Sequence, residues 1–139
     1  MQSSQLSIEI GTVIRSFVDD TKPPKFKYWV VVGMSGDDVD LATVYVNTFP
    51  NQFILRSPVL ANAQYPLRPD SRRIFKHDCY ADCSTIKRKN AEAIQSLLES
   101  VEDCVCGVLY PEEVDGMLKL MRETPNISDR DKKRFGLIK

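Results

Sequence analysis

The pattern of apolar and polar positions changes its period about two-thirds of the way along the chain. Before that point, runs rich in β-branched residues are alternating or continuously apolar, as in "LSIEIGTVIRSFV", "FKYWVVVGMS" and "LATVYVNT". Such runs predict β-strands. Gly11 interrupts the first run and predicts a bend, while the valines at 30–32 predict a strand that is buried on both faces. We therefore predict a strongly curved β-barrel over residues 1–90.

After that point, apolar residues recur at helical spacing in "RKNAEAIQSLLESV" and "YPEEVDGMLKLMRET", with the short β-like "DCVCGVL" between them. Pro111 suits the first turn of a helix. Ser128 is predicted to cap a last short helix and Gly136 to end it. Residues 91–139 are thus predicted to be a helical C-terminal part. The whole chain, 1–139, is predicted to be one domain of the α+β class.

The stretch "HDCYADC" contains the only histidine and two of the four cysteines. If it is a strand, His77, Cys79 and Cys83 share one face, and the two thiols stand about 13 Å apart, too far to bind one zinc ion. Neighbouring residues on that face are about 6.6 Å apart, which makes His77 and Cys79 a poor base and nucleophile pair. We predict buried thiols, a partly buried His77, no metal and no cofactor. A Cys/His metal site stays as a minor alternative.

Charge argues against a dedicated duplex-DNA-binding protein, because 19 basic and 19 acidic residues give a formal net charge of zero. Basic residues still cluster locally, in "TKPPKFKYW", "RPDSRRIFKH" and "IKRKN". The first cluster interleaves lysines with aromatic residues, a composition that suits single-stranded nucleic acid. Asn47 and Thr48 end the next strand and are expected to lie nearby. The alternative is that the rings belong to the core and that the lysines are only solvated.

The chain shows neither a long apolar segment nor a secretory pattern at its N-terminus, and we expect a cytoplasmic protein that does not enter a membrane.

The order "IGTVIRSFV", "KPPKFKYWVVVG", "LATVYVNT" resembles the opening of MazF/PemK-family toxins, with Gly11, Val13, the valine run and Thr48 in matching places. The later "YADCSTIK" is similar to a strand of that family, and "GVLYPEEVDGMLKLMR" is similar to its terminal helix. The resemblance implies an SH3-like barrel and a homodimer. It also implies an endoribonuclease that cleaves single-stranded RNA without a metal, and an antitoxin protein as partner.

In the mechanism that the resemblance implies, a 2′-hydroxyl attacks the adjacent phosphate and a cationic side chain stabilises the developing charge. Thr48 stands at the position of the family's threonine. The family's arginine is replaced, and Lys27 or Tyr28 lies nearest to its place. On this hypothesis Lys27 (or Lys25) and Thr48 are catalytic, while Lys25, Tyr28 and Asn47 bind RNA. The second hypothesis is a catalytically inactive barrel, regulatory or phage-associated, that binds protein or nucleic acid.

Overall fold

The computed structural model describes residues 8–48 and 55–139. Within these residues seven strands form one sheet: β1 Thr12–Val18, β2 Lys25–Met34, β3 Asp40–Asn47, β4 Gln64–Leu67, β5 Cys79–Asp82, β6 Lys87–Asn90 and β7 Val105–Val108. The helices whose bounds lie inside these residues are α1 Pro58–Ala61, α2 Ala91–Ser100, α3 Pro111–Glu123 and α4 Asp129–Arg134.

The sheet is antiparallel and curls into a half-barrel, with the strand order β4-β5-β3-β2-β1-β7. It divides at β3, because the first half of β3 pairs with β6 and the second half pairs with β5. Strand β7 lies between α2 and α3 in the sequence and pairs with the outer side of β1. The prediction of an α+β fold, with a small barrel-like sheet followed by helices, is confirmed.

Both faces of the sheet are covered by a helix. Successive residues of a strand point to opposite faces, so β1, β2 and β3 each contribute to two separate cores. On the α3 face, buried strand residues pack with side chains of α3, among them Val13, Val30, Val44, Met117 and Met121. On the α2 face, a second core includes Ile14, Trp29, Val31, Leu41 and Ile94. Val30 and Val31 are both buried, which confirms the prediction of a strand buried on two faces.

The ends of several elements lie where their sequence signals predict them. Gly11 has a φ of +95° immediately before β1, a backbone conformation that side chains disfavour, and its amide donates to the carbonyl of Val31. Ser128 Oγ accepts the amide of Asp131 and caps α4, and Gly136 follows that helix with a φ of +74°. The predicted first strand also includes residues 6 and 7, which lie outside the described part of the chain.

The connection between β4 and β5 is attached to the start of α3 by Arg72. Its guanidinium forms ion pairs with Asp70 and Glu113, each at 2.6 Å, and lies 3.8 Å from the centre of the Tyr110 ring. These contacts raise the pKa of Arg72 above its ordinary value, with the Glu113 bond as the largest cause. Because Glu113 also accepts the backbone amide of Tyr110, one carboxylate caps α3 and holds the loop.

The prediction for His77 is wrong. Strand β5 begins only at Cys79, where its pairing with β4 starts, so the alternation of the strand does not reach back to residue 77. His77 is exposed, whereas Cys79 and Cys83 are buried as predicted.

Candidate functional site

Three lysine side chains converge on one tyrosine ring on the α2 face. The Nζ atoms of Lys27, Lys87 and Lys89 lie 6.0, 5.2 and 5.0 Å from the centre of the Tyr45 ring. Strands β2 and β6 flank β3 on its two sides, and the odd-numbered residues of β3, of β6 and of β2 as far as residue 31 point to this face. We call these three lysines, with Tyr45 and Asn47, the lysine cluster.

Hydrogen bonds fix the position of the cluster's polar atoms. Lys27 Nζ donates to Asn47 Oδ1 at 2.5 Å, and Lys89 Nζ donates to Tyr45 Oη at 3.0 Å. Tyr45 Oη in turn donates to the carboxylate of Asp20 at 2.9 Å, and Lys87 lies 3.8 Å from the same carboxylate. Within residues 8–48 and 55–139, Asp20 is the only acidic residue in hydrogen-bond or ion-pair contact with the cluster. Three cations therefore face one contacting anion.

Burial distinguishes Lys27 and Lys89 from ordinary surface lysines. Lys27 is only 9% exposed, and this desolvation, reinforced by the charge of Lys25, lowers the pKa of its ammonium group. Desolvation likewise lowers the pKa of Lys89. The pKa of Tyr45 is raised by burial and by its bond to Asp20, so its hydroxyl stays protonated and remains a donor. Because water solvates these ammonium groups poorly, an anion that enters the site compensates for lost hydration.

The structure brings together some of the predicted site residues and separates others. Lys27 and Asn47 are hydrogen-bonded, and Lys25 lies at the exposed start of β2 on the same face. Tyr28 points to the α3 face, where its ring meets Phe75 edge-on with 5.5 Å between the ring centres. Thr48 is exposed and follows the last residue of β3. Lys27 and Tyr28 thus do not share a site, because neighbouring residues of a strand point in opposite directions.

Sequence reasoning missed Lys87, Lys89, Tyr45 and Asp20. In the sequence, "IKRKN" stands out only as a local basic cluster, whereas its residues 87–90 form β6. The alternation of lysine in "KRK" was the available signal, since it places two lysines on one face of a strand. Lys87 and Lys89 lie near Tyr45 because β6 pairs with β3, although some 40 residues of chain separate the two strands.

The thiols of Cys79 and Cys83 offer no competing nucleophile. Burial raises the pKa of Cys79 to about 11, and it raises the pKa of Cys83 further, so both are neutral thiols at neutral pH. Across the ranges 8–48 and 55–139, no group of three or more histidine, cysteine, aspartate or glutamate side chains lies close enough to hold a metal ion.

Comparison with protein-family models, with curated proteins and with solved structures finds no match to this chain. The likeness to MazF/PemK toxins therefore rests on short motifs, and a function has to be argued from the site itself. Among the helices of the described residues, none combines the length and the apolar character needed to cross a membrane.

Proposed function

We propose that this chain binds single-stranded RNA and that the phosphates lie on the lysine cluster. The observation that carries the proposal is the convergence of the ammonium groups of Lys27, Lys87 and Lys89 on Tyr45. Among the described residues one carboxylate, that of Asp20, contacts this group, through Tyr45 and Lys87. A lysine ammonium binds a phosphate as a compact point charge. Tyr45 adds an aromatic surface, and Lys25 extends the positive charge along β2.

A second candidate function, cleavage of that RNA, is favoured by the environment of Lys27. Its ammonium group is buried and fixed by Asn47, and its pKa is lowered. In the proposed reaction the 2′-oxygen loses its proton to water and attacks phosphorus, the bond to the 5′-oxygen breaks, and a 2′,3′-cyclic phosphate forms. Lys27 stabilises the negative charge on the phosphoryl oxygens and gives a proton to the leaving 5′-oxygen. Thr48 supplies a hydrogen bond. This is a metal-independent endoribonuclease of the MazF/PemK type.

The alternative is a barrel that binds RNA without cleaving it. Two observations favour it: the chain has no arginine at the start of its valine strand, and Tyr28 lies on the face opposite Lys27. An ammonium group lacks the bidentate geometry with which arginine holds a phosphate. Both alternatives require RNA at the lysine cluster and differ only in the chemical step.

The test incubates the purified chain with a mixed set of single-stranded RNAs in EDTA. Binding that weakens in Lys87→Gln/Lys89→Gln but not in Lys119→Gln supports the lysine cluster, because Lys119 is exposed on α3 on the opposite side of the sheet. Cleavage to 2′,3′-cyclic ends, lost in both Lys27→Ala and Thr48→Ala, supports the enzyme. Binding without cleavage supports the inactive barrel, and no binding to any RNA refutes both.

The resemblance adds proposals about assembly. A homodimer and an inhibitory antitoxin are parts of the toxin hypothesis, as is a location in the cytoplasm, where RNA substrates are present. The molar mass of the purified chain in solution, measured by light scattering, tests the dimer. A small acidic protein encoded beside this chain that abolishes RNA cleavage on mixing tests the antitoxin.

A further inference from the structure

An exposed aromatic surface lies on the α3 face of the hairpin formed by β1 and β2, beside the turn that joins the two strands. Phe17 and Phe26 are paired across the two strands, are 57% and 56% exposed, and meet edge-on with their ring centres 5.6 Å apart. The next pair on the same face is Arg15 and Tyr28. The Arg15 guanidinium lies 4.8 Å from the centre of the Phe26 ring and 6.0 Å from that of Tyr28. We call these four residues the aromatic surface.

The core on this face accounts for Tyr28, which packs against it, but not for Phe17, Phe26 and Arg15. The residues that pack against α3 lie further along the strands, and Phe17 and Phe26 are not among them. Arg15 is exposed and forms no ion pair with an acidic residue of the described chain. Two flat apolar rings and one cation without a contacting carboxylate are thus presented to solvent side by side. Adjacent exposed apolar residues of this kind mark interaction sites.

We propose that the aromatic surface stacks the bases of the same single-stranded RNA whose phosphates lie on the lysine cluster; this inference rests on the proposed function. Aromatic rings and guanidinium planes stack on bases of any sequence, and a positive charge beside them attracts the backbone. The charge of Arg15 complements an RNA strand. A second copy of the chain fits less well, because a twofold interface buries the same surface of both copies and would enclose two Arg15 charges without a contacting carboxylate.

The two sites are close enough for one RNA strand. Lys27 lies between Phe26 and Tyr28 on β2, so the lysine cluster and the aromatic surface lie on opposite faces of the same part of the sheet. Strand β7 pairs with β1 only from Thr12 to Ile14, which leaves the outer edge of β1 from residue 16 onward unpaired within the described chain. From Tyr45 on β3, the route to this edge crosses β2 and β1, two interstrand spacings of about 4.8 Å each, and then turns round the edge to the aromatic surface.

The test separates bases from phosphates by titrating two fluorescein-labelled probes, an unstructured RNA of twelve nucleotides and a base-free strand with the same backbone. Phe17→Ala/Phe26→Ala is expected to bind the RNA about ten-fold more weakly than the unmodified chain. This variant should bind the base-free strand as tightly as the unmodified chain does. Lys87→Gln/Lys89→Gln should bind both probes more weakly. The control Leu55→Ala/Val59→Ala also removes two exposed apolar side chains and should bind both probes as the unmodified chain does.

A second variant, Phe17→Leu/Phe26→Leu, keeps apolar side chains at both positions and removes only the flat rings, so that loss of RNA affinity in it reports stacking rather than misfolding. Unchanged RNA affinity in both phenylalanine variants overturns the inference. The proposed function still stands in that case if Lys87→Gln/Lys89→Gln binds RNA more weakly than the unmodified chain. A chain that binds neither probe refutes both. A dimer that the phenylalanine variants convert to a monomer, with RNA affinity unchanged, identifies a protein interface and likewise overturns the inference.

Discussion

The number of phosphates held by the lysine cluster can be counted from the salt dependence of RNA binding. For single strands, the logarithm of the binding constant falls with the logarithm of salt concentration with a slope of about −0.7 per neutralised phosphate. Three ammonium groups therefore contribute a slope of about −2, and Lys87→Gln/Lys89→Gln leaves about −0.7 from Lys27. Between about 50 and 200 mM salt, the cluster's share of affinity falls about 20-fold in the unmodified chain and about 3-fold in the variant.

The assay is a fluorescence anisotropy titration at four or more salt concentrations, with a 2′-O-methyl RNA that cannot be cleaved. The matched control is Lys119→Gln/Lys133→Gln, which removes two charges from exposed lysines of α3 and α4. Its slope should equal that of the unmodified chain. The reasoning is refuted if the cluster variant keeps the full slope, or if the control reduces the slope by the same amount.

Three further predictions concern the fold and the buried lysine. Arg72→Ala should lower the free energy of unfolding in urea by about 2 kcal/mol, because it removes the two hydrogen bonds that the guanidinium donates to Glu113. Gly116→Ala should cost about 1 kcal/mol in the same assay, because the added methyl group overlaps the ring of Tyr65 by more than the gain in helix propensity offsets. Between the lowered folded-state pKa of Lys27 and its ordinary value of 10.5, the unfolded chain binds more protons, so the stability of the unmodified chain should rise with pH relative to Lys27→Met.

Each of these predictions has its own control. Arg72→Lys should recover only part of the loss, since one ammonium group cannot form two parallel bonds, and full recovery would contradict the argument. In a Tyr65→Ala background, Gly116→Ala should stabilise the chain, and a cost that persists there would place the clash elsewhere. For Lys27, the free energy of unfolding of the unmodified chain and of Lys27→Met is measured from neutral pH to pH near 10, and the difference between the two should change with pH. A constant difference from Lys27→Met would show that its pKa is not lowered.

Much of the fold follows from local signals in the sequence. The central strands and the helices α2 and α3 are predictable because apolar residues recur with one period in strands and another in helices. The ends of α4 at Ser128 and Gly136 are predictable because each depends on the chemistry of a single residue. The separation of Lys27 from Tyr28 is also implicit in the sequence, since it follows from strand alternation once β2 is assigned. The prediction for His77 was wrong because it needed information on strand pairing, which no local signal contains. Where a strand begins depends on its partner, and β5 has none before Cys79.

The candidate site depends on contacts that no local pattern contains. The sequence by itself determined that lysines alternate in "KFK" and "KRK" and that Tyr45 belongs to a strand. Only the tertiary structure decided that β3 divides its pairing between β5 and β6, and this division places Lys87 and Lys89 beside Tyr45. The physical reason is that side-chain direction is fixed by each strand's own geometry. Which strands become neighbours is fixed instead by the burial of two cores and by hydrogen bonds between distant segments.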